Sequence, residues 1–435
     1  MREIRVGLIG FGTVGSGTAE VLRVQAERLQ KKTGATIRLH RVADISRDSL
    51  PPEFAGVELT KDANRVTTAA DIDIVVELIG GIEPAKSFIL KAIAHGKHVV
   101  TANKALISQH GREIFEAAAA KNVEVGFEAS VGGGIPVIKA LKEGLVANRI
   151  ESILGIMNGT ANYILNKMTD EGLEFAAVLK EAQALGYAEA DPTYDVEGID
   201  TAHKLVILMS MAYGTHVRLD QVSTEGISRI EPIDIEFARE FGYRIKLLAI
   251  SHNHGDHIEA RVHPTMVPTG HLLANISGAF NAIQFTGDMV QDVLFYGPGA
   301  GKMPTGSAVA ADIVDIARNL LHDSINRVPS LGYLPASFKE ISITPLEKIR
   351  CPYYFRVTVK EKPGVLSTIS GILGNHGISI RSVLQKARAR QGIVPVMMRA
   401  YEAEEAAVSR ALAEIDALEV CAAPTVKIRI MDNDE

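Results

Sequence analysis

Residues 5–15 read Arg-Val-Gly-Leu-Ile-Gly-Phe-Gly-Thr-Val-Gly, and the fold follows from them. A short apolar strand, 5–10, runs into Gly10, Gly12 and Gly15 at the spacing GxGxxG, and a helical segment, 18–30, comes next. In the order strand, turn, helix, these glycines let backbone N–H groups come up against a pyrophosphate at a helix N-terminus. Outside that context the same spacing marks only a tight βα turn. Here, at the chain start, the run Gly10 to Gly15 reads as a dinucleotide site, with a merely tight turn as the alternative. A second strand, 37–43, ends at Asp44, an acid placed for a ribose 2′-hydroxyl. It lies beyond the usual spacing of about 20 residues because the intervening helix is long. Arg41 and Arg47 stand near enough to receive a 2′-phosphate instead, so NAD and NADP both remain open.

Strand and helix go on alternating through strand 72–79, helix 84–95, strand 98–101, helix 104–120 and strand 123–128. Apolar strands in such units predict an α/β fold with a Rossmann-type, doubly wound parallel sheet. Ligands of these sheets sit beyond the strand C-termini, where Gly80-Gly81, Thr101-Ala-Asn-Lys104 and 128–134 all fall. Lys104 is thereby on the reactive edge; a merely solvated lysine is disfavoured at a helix N-terminus, where the dipole opposes cations. Glu128 leaves its strand through Gly132-Gly133-Gly134. A carboxylate beside several inward-turned carbonyls suits a hard cation, and a glycine hinge between domains accounts for the same residues.

Composition narrows the class. A chain of 435 residues, 46% hydrophobic and 23% charged, holds two or three ordinary globular domains. Its net charge of -6 offers no field for nucleic acid. No apolar run approaches the roughly 20 residues of a membrane span, and the chain start passes directly into a strand, so the expected location is the cytoplasm. The two cysteines, Cys351 and Cys421, make no disulfide framework.

Past the glycines come helix 137–147, strand 150–157 and Asn158-Gly-Thr160-Ala-Asn162, whose small polar groups line a pocket or cap the helix 163–168. Residues 185–209, LGYAEADPTYDVEGIDTAHKLVILM, set Glu189, Asp191, Asp195 and Glu197 ahead of an apolar helix bearing Asp200 and Lys204. Four apart, these two share one helix face. An exposed ion pair is the ordinary reading. The run 204–209 is too apolar for a solvated helix, however, and puts Lys204 at the edge of the core, where an idle charged cluster is costly.

An alternating segment near 246–263 contains His252-Asn-His-Gly-Asp256-His257, the HxHxDH of binuclear metallo-hydrolases. It joins the two arms of a hairpin through a polar turn, and we read it as that turn. Tyr296-Gly-Pro-Gly-Ala-Gly301-Lys-Met-Pro-Thr305 feeds an apolar helix, 306–321, a second backbone contact for phosphate or nicotinamide that returns the chain to the first domain. Residues 322–351, with Pro329, Pro335 and Pro345, read as a linker. The remainder reads β (354–359), α (364–376), β (378–385), β (392–400), α (403–415), β (422–430), a ferredoxin-like module.

Acids beside lysines suit an amino acid, with carboxylates for its ammonium and a lysine or helix N-terminus for its carboxylate. Thioester-forming aldehyde dehydrogenases need a cysteine nucleophile, and both cysteines lie at or beyond the linker. That leaves direct hydride exchange between an aldehyde and an alcohol. The nascent alkoxide needs a proton donor, and a lysine with a reference pKa of about 10.4 carries one. Lys204 and Lys104 are placed for it.

GFGTVG, TANK, the glycines after Glu128, MNGTANYIL, GYAEADPTYDVEGIDTAHKL and YGPGAGKMPT occur in that order, and over 1–321 the chain resembles the homoserine dehydrogenases. The tail resembles an ACT domain, with Glu361-Lys362 where such domains usually carry Asp shortly before Pro-Gly-Val-Leu. With no aspartokinase segment before Met1, the resemblance is to the monofunctional form. It implies NAD(P)H-dependent reduction of L-aspartate 4-semialdehyde to L-homoserine, the branch toward threonine and methionine. Lys204 would donate the proton and Lys104 would bind cofactor or substrate beside it. Asp200 and Glu189 would hold the substrate, with Tyr187 and Thr160 nearby, while Phe11, Thr13, Val14 and Gly301 follow the dinucleotide. Glu128 and the carbonyls of Val131, Gly133 and Ile135 would bind sodium or potassium. The tail implies feedback by threonine and assembly as a homodimer or homotetramer, with turnover expected to survive deletion of 353–435. The implied organisation is a nucleotide-binding domain, 1–130, completed by 305–321; an α+β catalytic and dimerisation domain, 131–304; a linker, 322–351; and an ACT domain, 352–435. Two other readings stay open: an oxidoreductase for another small amino-acid aldehyde, and an amino-acid-sensing protein with an inactive dehydrogenase body. The second requires broken acidic and lysine positions, and none is broken.

Overall fold

The computed structural model describes residues 2–385 and 392–431. The chain divides into two compact units, each discontinuous in sequence: Met1–Ile153, Ala202–Asp220 and Phe280–Ile341 in one, Leu154–Thr201, Gln221–Ala279 and Ser342–Glu435 in the other.

The first unit opens with β1 (Glu3–Ile9), α1 (Thr13–Val24), α2 (Ala26–Thr33), β2 (Thr36–Ala43), β3 (Glu58–Thr60), α3 (Asn64–Thr67), β4 (Ile74–Glu77), α4 (Ala85–Ala94), β5 (His98–Thr101), α5 (Lys104–Ala120), β6 (Val125–Gly126) and α6 (Val137–Lys139). The strands form one six-stranded sheet, β3-β2-β1-β4-β5-β6, parallel throughout. The chain winds outward from β1 to β3, then returns to lay β4 against the other side of β1, which opens a crevice at their C-terminal ends. Val6, Val75, Val76, Val99 and Val100 are fully buried, as expected of strands covered on both faces.

The expected helix 18–30 is two helices, and it starts earlier, at Thr13. Gly15 and Gly17 sit inside α1, where helix propensity is poor, because neighbouring backbone presses against both. The expected strand 123–128 shrinks to β6, and the expected helix 137–147 is α6 followed by a π-helical turn, Ala140–Gly144.

β7 (Ile150–Ile156) carries the chain into the second unit, where α7 (Gly159–Glu171), α8 (Phe175–Ala184) and α9 (Thr193–Val196) precede α10 (Ile199–Tyr213), a helix whose residues from Ala202 onward belong to the first unit. Then follow β8 (Ser223–Thr224), α11 (Pro232–Glu240) and the hairpin β9 (Tyr243–Asn253) with β10 (His257–Pro268). The HxHxDH residues run from the end of β9 through the turn to the first residue of β10, as expected, with His254 and His257 stacked at 4.6 Å. Back in the first unit, β11 (Phe280–Gly287) and β12 (Gln291–Pro298) form a second hairpin, unforeseen in the sequence, and α12 (Lys302–Leu321) packs on α1.

The segment expected as a linker is tied down. Tyr333 donates its hydroxyl to the Ala212 carbonyl at 3.2 Å, Phe338 stacks on His216 at 4.6 Å, and β13 (Ser342–Ile343) pairs with β10. The tail then follows its expected order: β14 (Arg350–Lys360), α13 (Val365–Asn375), β15 (Ile380–Leu384), β16 (Ile393–Glu404), α14 (Glu405–Asp416) and β17 (Cys421–Ile430), with strand order β17-β14-β16-β15. Its core is Tyr353, Phe355, Val357, Ile369, Met398 and Val408.

That module shares a sheet with the β9–β10 hairpin, since β17 runs parallel to β10 through Thr265 opposite Arg429 and Met266 opposite Ile430. Buried ion pairs reinforce the seam. Arg356 donates to fully buried Asp234 at 2.8 Å, Tyr354 donates to the same carboxylate at 3.0 Å, and Arg429 binds Glu405 at 2.9 Å and Glu225 at 2.7 Å. Deleting 353–435 would take these partners from Asp234 and the β17 pairing from β10.

Candidate active site

The three glycines of the first loop have three different surroundings. Gly10 has φ +95°, and a Cβ there would meet the Leu78 carbonyl oxygen at 2.9 Å. At Gly15 a Cβ would lie 2.1 Å from the Gly10 carbonyl oxygen, which fixes how closely α1 approaches its strand. Around Gly12 nothing lies within 4 Å. Tight turn, open backbone and close helix–strand packing are what a pyrophosphate loop asks of first, second and third glycine. Gly12 is also the N-cap of α1 and has no side chain to cap it, so the N–H groups at this helix end face outward.

Asp44 closes the loop from behind. Its Oδ2 accepts the Phe11 N–H at 2.7 Å, and its Oδ1 accepts from the Ser46 N–H and hydroxyl at 2.8 and 2.6 Å. Only Oδ2 keeps a spare lone pair for a ribose hydroxyl. The structure removes Arg41 as a 2′-phosphate ligand: it is buried, donating to Glu58 at 2.7 Å and the Arg65 carbonyl at 2.7 Å. Arg47 remains at the rim, its guanidinium 5.1 Å above the Phe11 ring. Gly301, at φ +121°, caps α12, which begins at Lys302 and not at the expected 306. A Cβ on Gly17 would sit 2.2 Å from the Lys302 carbonyl oxygen, so the second glycine loop lies against the dinucleotide helix.

At the crevice, Lys104 is the first residue of α5 and is set by a network the sequence did not disclose. Buried Glu77 accepts from the Ile79 N–H at 2.8 Å, the Gly80 N–H at 3.2 Å and the Thr101 hydroxyl at 2.7 Å. Thr101 in turn accepts the Asn103 N–H, and Asn103 both caps α5 through the Leu106 N–H at 3.1 Å and donates to the Gly81 carbonyl at 2.6 Å. Burial pushes the Glu77 carboxyl above its ordinary range. One turn beyond Lys104, the Ser108 hydroxyl and His203 Nδ1 lie 2.5 Å apart, which pins α10 to α5 beside Lys204. Lys204 is nearly buried. A cavity of about 660 Å³, lined by Ile107, Phe115, Val206 and Leu219 among others, includes neither lysine.

Glu128 is buried in a short 3-10 turn, Glu128–Ser130, each oxygen accepting one backbone N–H, from Ile138 and Lys139, at 2.9 Å. Burial raises its carboxyl, and beside it burial and the Glu128 charge push the Asp312 carboxyl up to about 8. Val131, Gly133 and Ile135 are buried in the same loop, with Gly132 and Gly133 at φ +73° and +56°. One carboxylate with three loop carbonyls is an oxygen donor set that fits a hard monovalent cation. The glycines also answer a packing need, since a Cβ on Gly133 would lie 2.5 Å from the Gly299 backbone.

The remaining candidates, Thr160, Tyr187, Glu189 and Asp200, belong to the second unit. Asn158 ties Asp200 to the polar turn 158–162. Its Oδ1 caps α7 through the Ala161 N–H at 2.8 Å, and its Nδ2 donates to Asp195 at 2.7 Å and to buried Asp200 at 2.9 Å. The capping reading of this polar turn thus holds for Asn158. The Thr160 hydroxyl donates to the Tyr187 carbonyl at 2.6 Å, and the Tyr187 ring packs on Tyr163 at 4.9 Å. Glu189 is exposed; its backbone carbonyl, not its carboxylate, accepts from Gln183 at 3.0 Å. Tyr194, overlooked in the sequence, lies among these acids: burial and the charges of Asp200 and Asp195 raise its hydroxyl pKa. Asp200 and Lys204 stand one turn apart on α10.

Three stretches of the chain match family models. Residues 10–128 match the homoserine dehydrogenase NAD-binding domain, 136–314 match homoserine dehydrogenase, and 353–420 match the ACT domain. A homoserine dehydrogenase of Neisseria gonorrhoeae is 46% identical over 430 residues, covering 99% of both chains. The chain belongs to the homoserine dehydrogenase family. The crystal structure of a homoserine dehydrogenase from Thiobacillus denitrificans, 49% identical, superposes with a TM-score of 0.94 over 99% of both chains. A hyperthermophilic archaeal homoserine dehydrogenase solved in complex with NADPH is 25% identical, with a TM-score of 0.62 over 72% of this chain and 97% of its own. As homoserine dehydrogenases the family are oxidoreductases acting on CH–OH groups, in keeping with the cysteines: burial raises both thiols, Cys351 to about 11. Among the described residues no helix is long and apolar enough to cross a membrane.

Proposed function

We propose that the protein interconverts L-aspartate 4-semialdehyde and L-homoserine, with Lys204 as proton donor and Asp200 as the anchor for the substrate's ammonium. The observation that carries this is the Asn158 clamp: it gathers Asp195 and Asp200 at the head of the helix that bears Lys204 one turn later. When bound, the dinucleotide supplies or accepts the hydride. Lys204 holds the proton that the developing alkoxide oxygen takes up, and Lys104, fixed by the Glu77–Thr101–Asn103 network, binds coenzyme or substrate beside it. Tyr187, Thr160 and Glu189 complete the substrate's surroundings. Gly10 to Gly15, Asp44 and Gly301 follow the dinucleotide, with Arg47 inclining the site toward NADP. Glu128 and the carbonyls of Val131, Gly133 and Ile135 hold sodium or potassium, which ties the first unit's glycine loops together. The ACT module binds threonine as effector, and the protein works in the cytoplasm as a homodimer or homotetramer. Supporting the last point, the β11–β12 hairpin leaves Phe280, Met289 and Tyr296 exposed.

The test is Lys204→Met. A positioned general acid contributes roughly 10²–10⁴-fold, so kcat should fall at least a hundredfold while the variant still binds NADPH. A folded variant that keeps its turnover would refute the assignment.

A further inference from the structure

Lys246, on β9, is one of the largest fully buried side chains of the protein. Its ammonium donates to Asn162 Oδ1 at 3.1 Å, Asn166 Oδ1 at 2.8 Å and the Ile276 carbonyl at 2.6 Å. All three acceptors are neutral, and three N–H donors are what an ammonium, not an amine, provides. Burial draws its pKa down to about 7, with Arg244 opposing the charge and Asp170 favouring it. A buried cation in a neutral cage is less favourable than an apolar side chain of the same size, so stability alone does not explain a lysine here.

The cage joins two pieces of backbone. Asn162 and Asn166 lie on successive turns of α7, and their own amide groups donate to the carbonyls of Gly278 at 2.9 Å and Ile276 at 3.3 Å. The loop they hold runs on to Ala279, whose carbonyl oxygen would sit 2.6 Å from a Cβ on Gly159, the first residue of α7. Asn162 also returns its N–H to the Asn158 carbonyl at 3.2 Å. The helix start that carries the Asn158 clamp is therefore wedged by this loop.

We propose that Lys246 is a positioning residue for substrate binding: by locking residues 276–279 onto α7 it sets the Asn158 side chain that gathers Asp195 and Asp200. The inference rests on the proposed substrate role of Asp200. Steady-state kinetics of Lys246→Met should show the KM for homoserine raised tenfold or more, the KM for NADP unchanged and the melting temperature not lowered. An unchanged homoserine KM in the folded variant, or an equal rise in both KM values, overturns the proposal. If that variant does not fold, Asn166→Leu, which removes one acceptor of three, is measured in its place, with a homoserine-specific rise of a few-fold expected and no rise counting against it. Asp200→Ala is run alongside. If it leaves the homoserine KM unmoved, the reading of the substrate site fails; if it moves KM while Lys246→Met does not, only the role of Lys246 fails.

Discussion

Two alanine substitutions in one motif should have opposite phenotypes. In Gly15→Ala the new methyl would sit 2.1 Å from the Gly10 carbonyl oxygen, 0.9 Å inside the 3.0 Å limit of real contacts. That obstacle is backbone, so α1 must shift, at an overpacking cost of about 1–3 kcal/mol. In Gly12→Ala the methyl meets nothing within 4 Å, and φ of −74° suits alanine as well as glycine. The free protein should not register the change. The bound coenzyme should, because the methyl occupies the space a pyrophosphate needs to reach the α1 N–H groups. Losing one or two charge-assisted hydrogen bonds, at roughly 1.5 kcal/mol each, weakens binding by about 10- to 100-fold. Thermal melts of the apo variants with NADPH fluorescence titration separate the two effects. Gly15→Ala should melt several degrees lower, whereas Gly12→Ala should melt as the parent does and bind NADPH poorly. Normal NADPH binding by Gly12→Ala would refute the placement of the coenzyme on this loop.

Three further outcomes follow from buried or rim groups. His98 accepts the Glu124 N–H on Nδ1 at 3.1 Å, and burial lowers its pKa to about 4. Its neutral form is stabilising above the unfolded value of 6.5, and that stability, about 3 kcal/mol, is lost as pH falls from 6.5 toward 4. His98→Asn keeps an acceptor and should flatten the pH dependence of urea unfolding over that window; an unaltered slope would count against it. Asp234→Ala leaves buried Arg356 only the half-exposed Glu231 and leaves the Tyr354 hydroxyl without its acceptor, so it should destabilise the second unit by about 1–3 kcal/mol, and no measurable loss would contradict the role given to the seam. Arg47→Ser should weaken NADPH binding about tenfold or more and leave NADH unaffected, and equal losses for both would show that Arg47 does not read the 2′-phosphate.

Much of the first unit was legible because its strands are buried on both faces, which makes β1, β4 and β5 continuous apolar runs. β5 and α5 fall on their expected residues for that reason. The tail was legible from its βαββαβ order. The burial of Arg41 is hidden from the sequence because its partner Glu58 lies on β3, a strand of three residues too short for any periodicity. Glu77 and Lys246 were invisible for another reason. Neither stands in a recognisable motif, and their roles depend on partners such as Thr101 for Glu77 and Asn162, Asn166 and Ile276 for Lys246, which lie far away in sequence. Asn158 is visible in the sequence as a polar turn residue, but its service as cap and clamp together depends on Asp195 and Asp200, 37 and 42 residues away. The β11–β12 hairpin is illegible in the sequence because β11 is almost wholly buried and β12 is half-exposed, so neither shows a clean alternation.

The seam between β10 and β17 also limits how such proteins can be recombined. A sensory tail from a relative, spliced in at the end of the 322–351 segment, would have to reproduce Arg356, Tyr354 and Arg429 opposite Asp234 and Glu225, and it would need an edge that continues β10 in register. Chimeras that respect the sequence boundary but ignore these five residues should come out misfolded, whereas exchanges that carry 225–234 along with the tail keep each charge beside its counterpart.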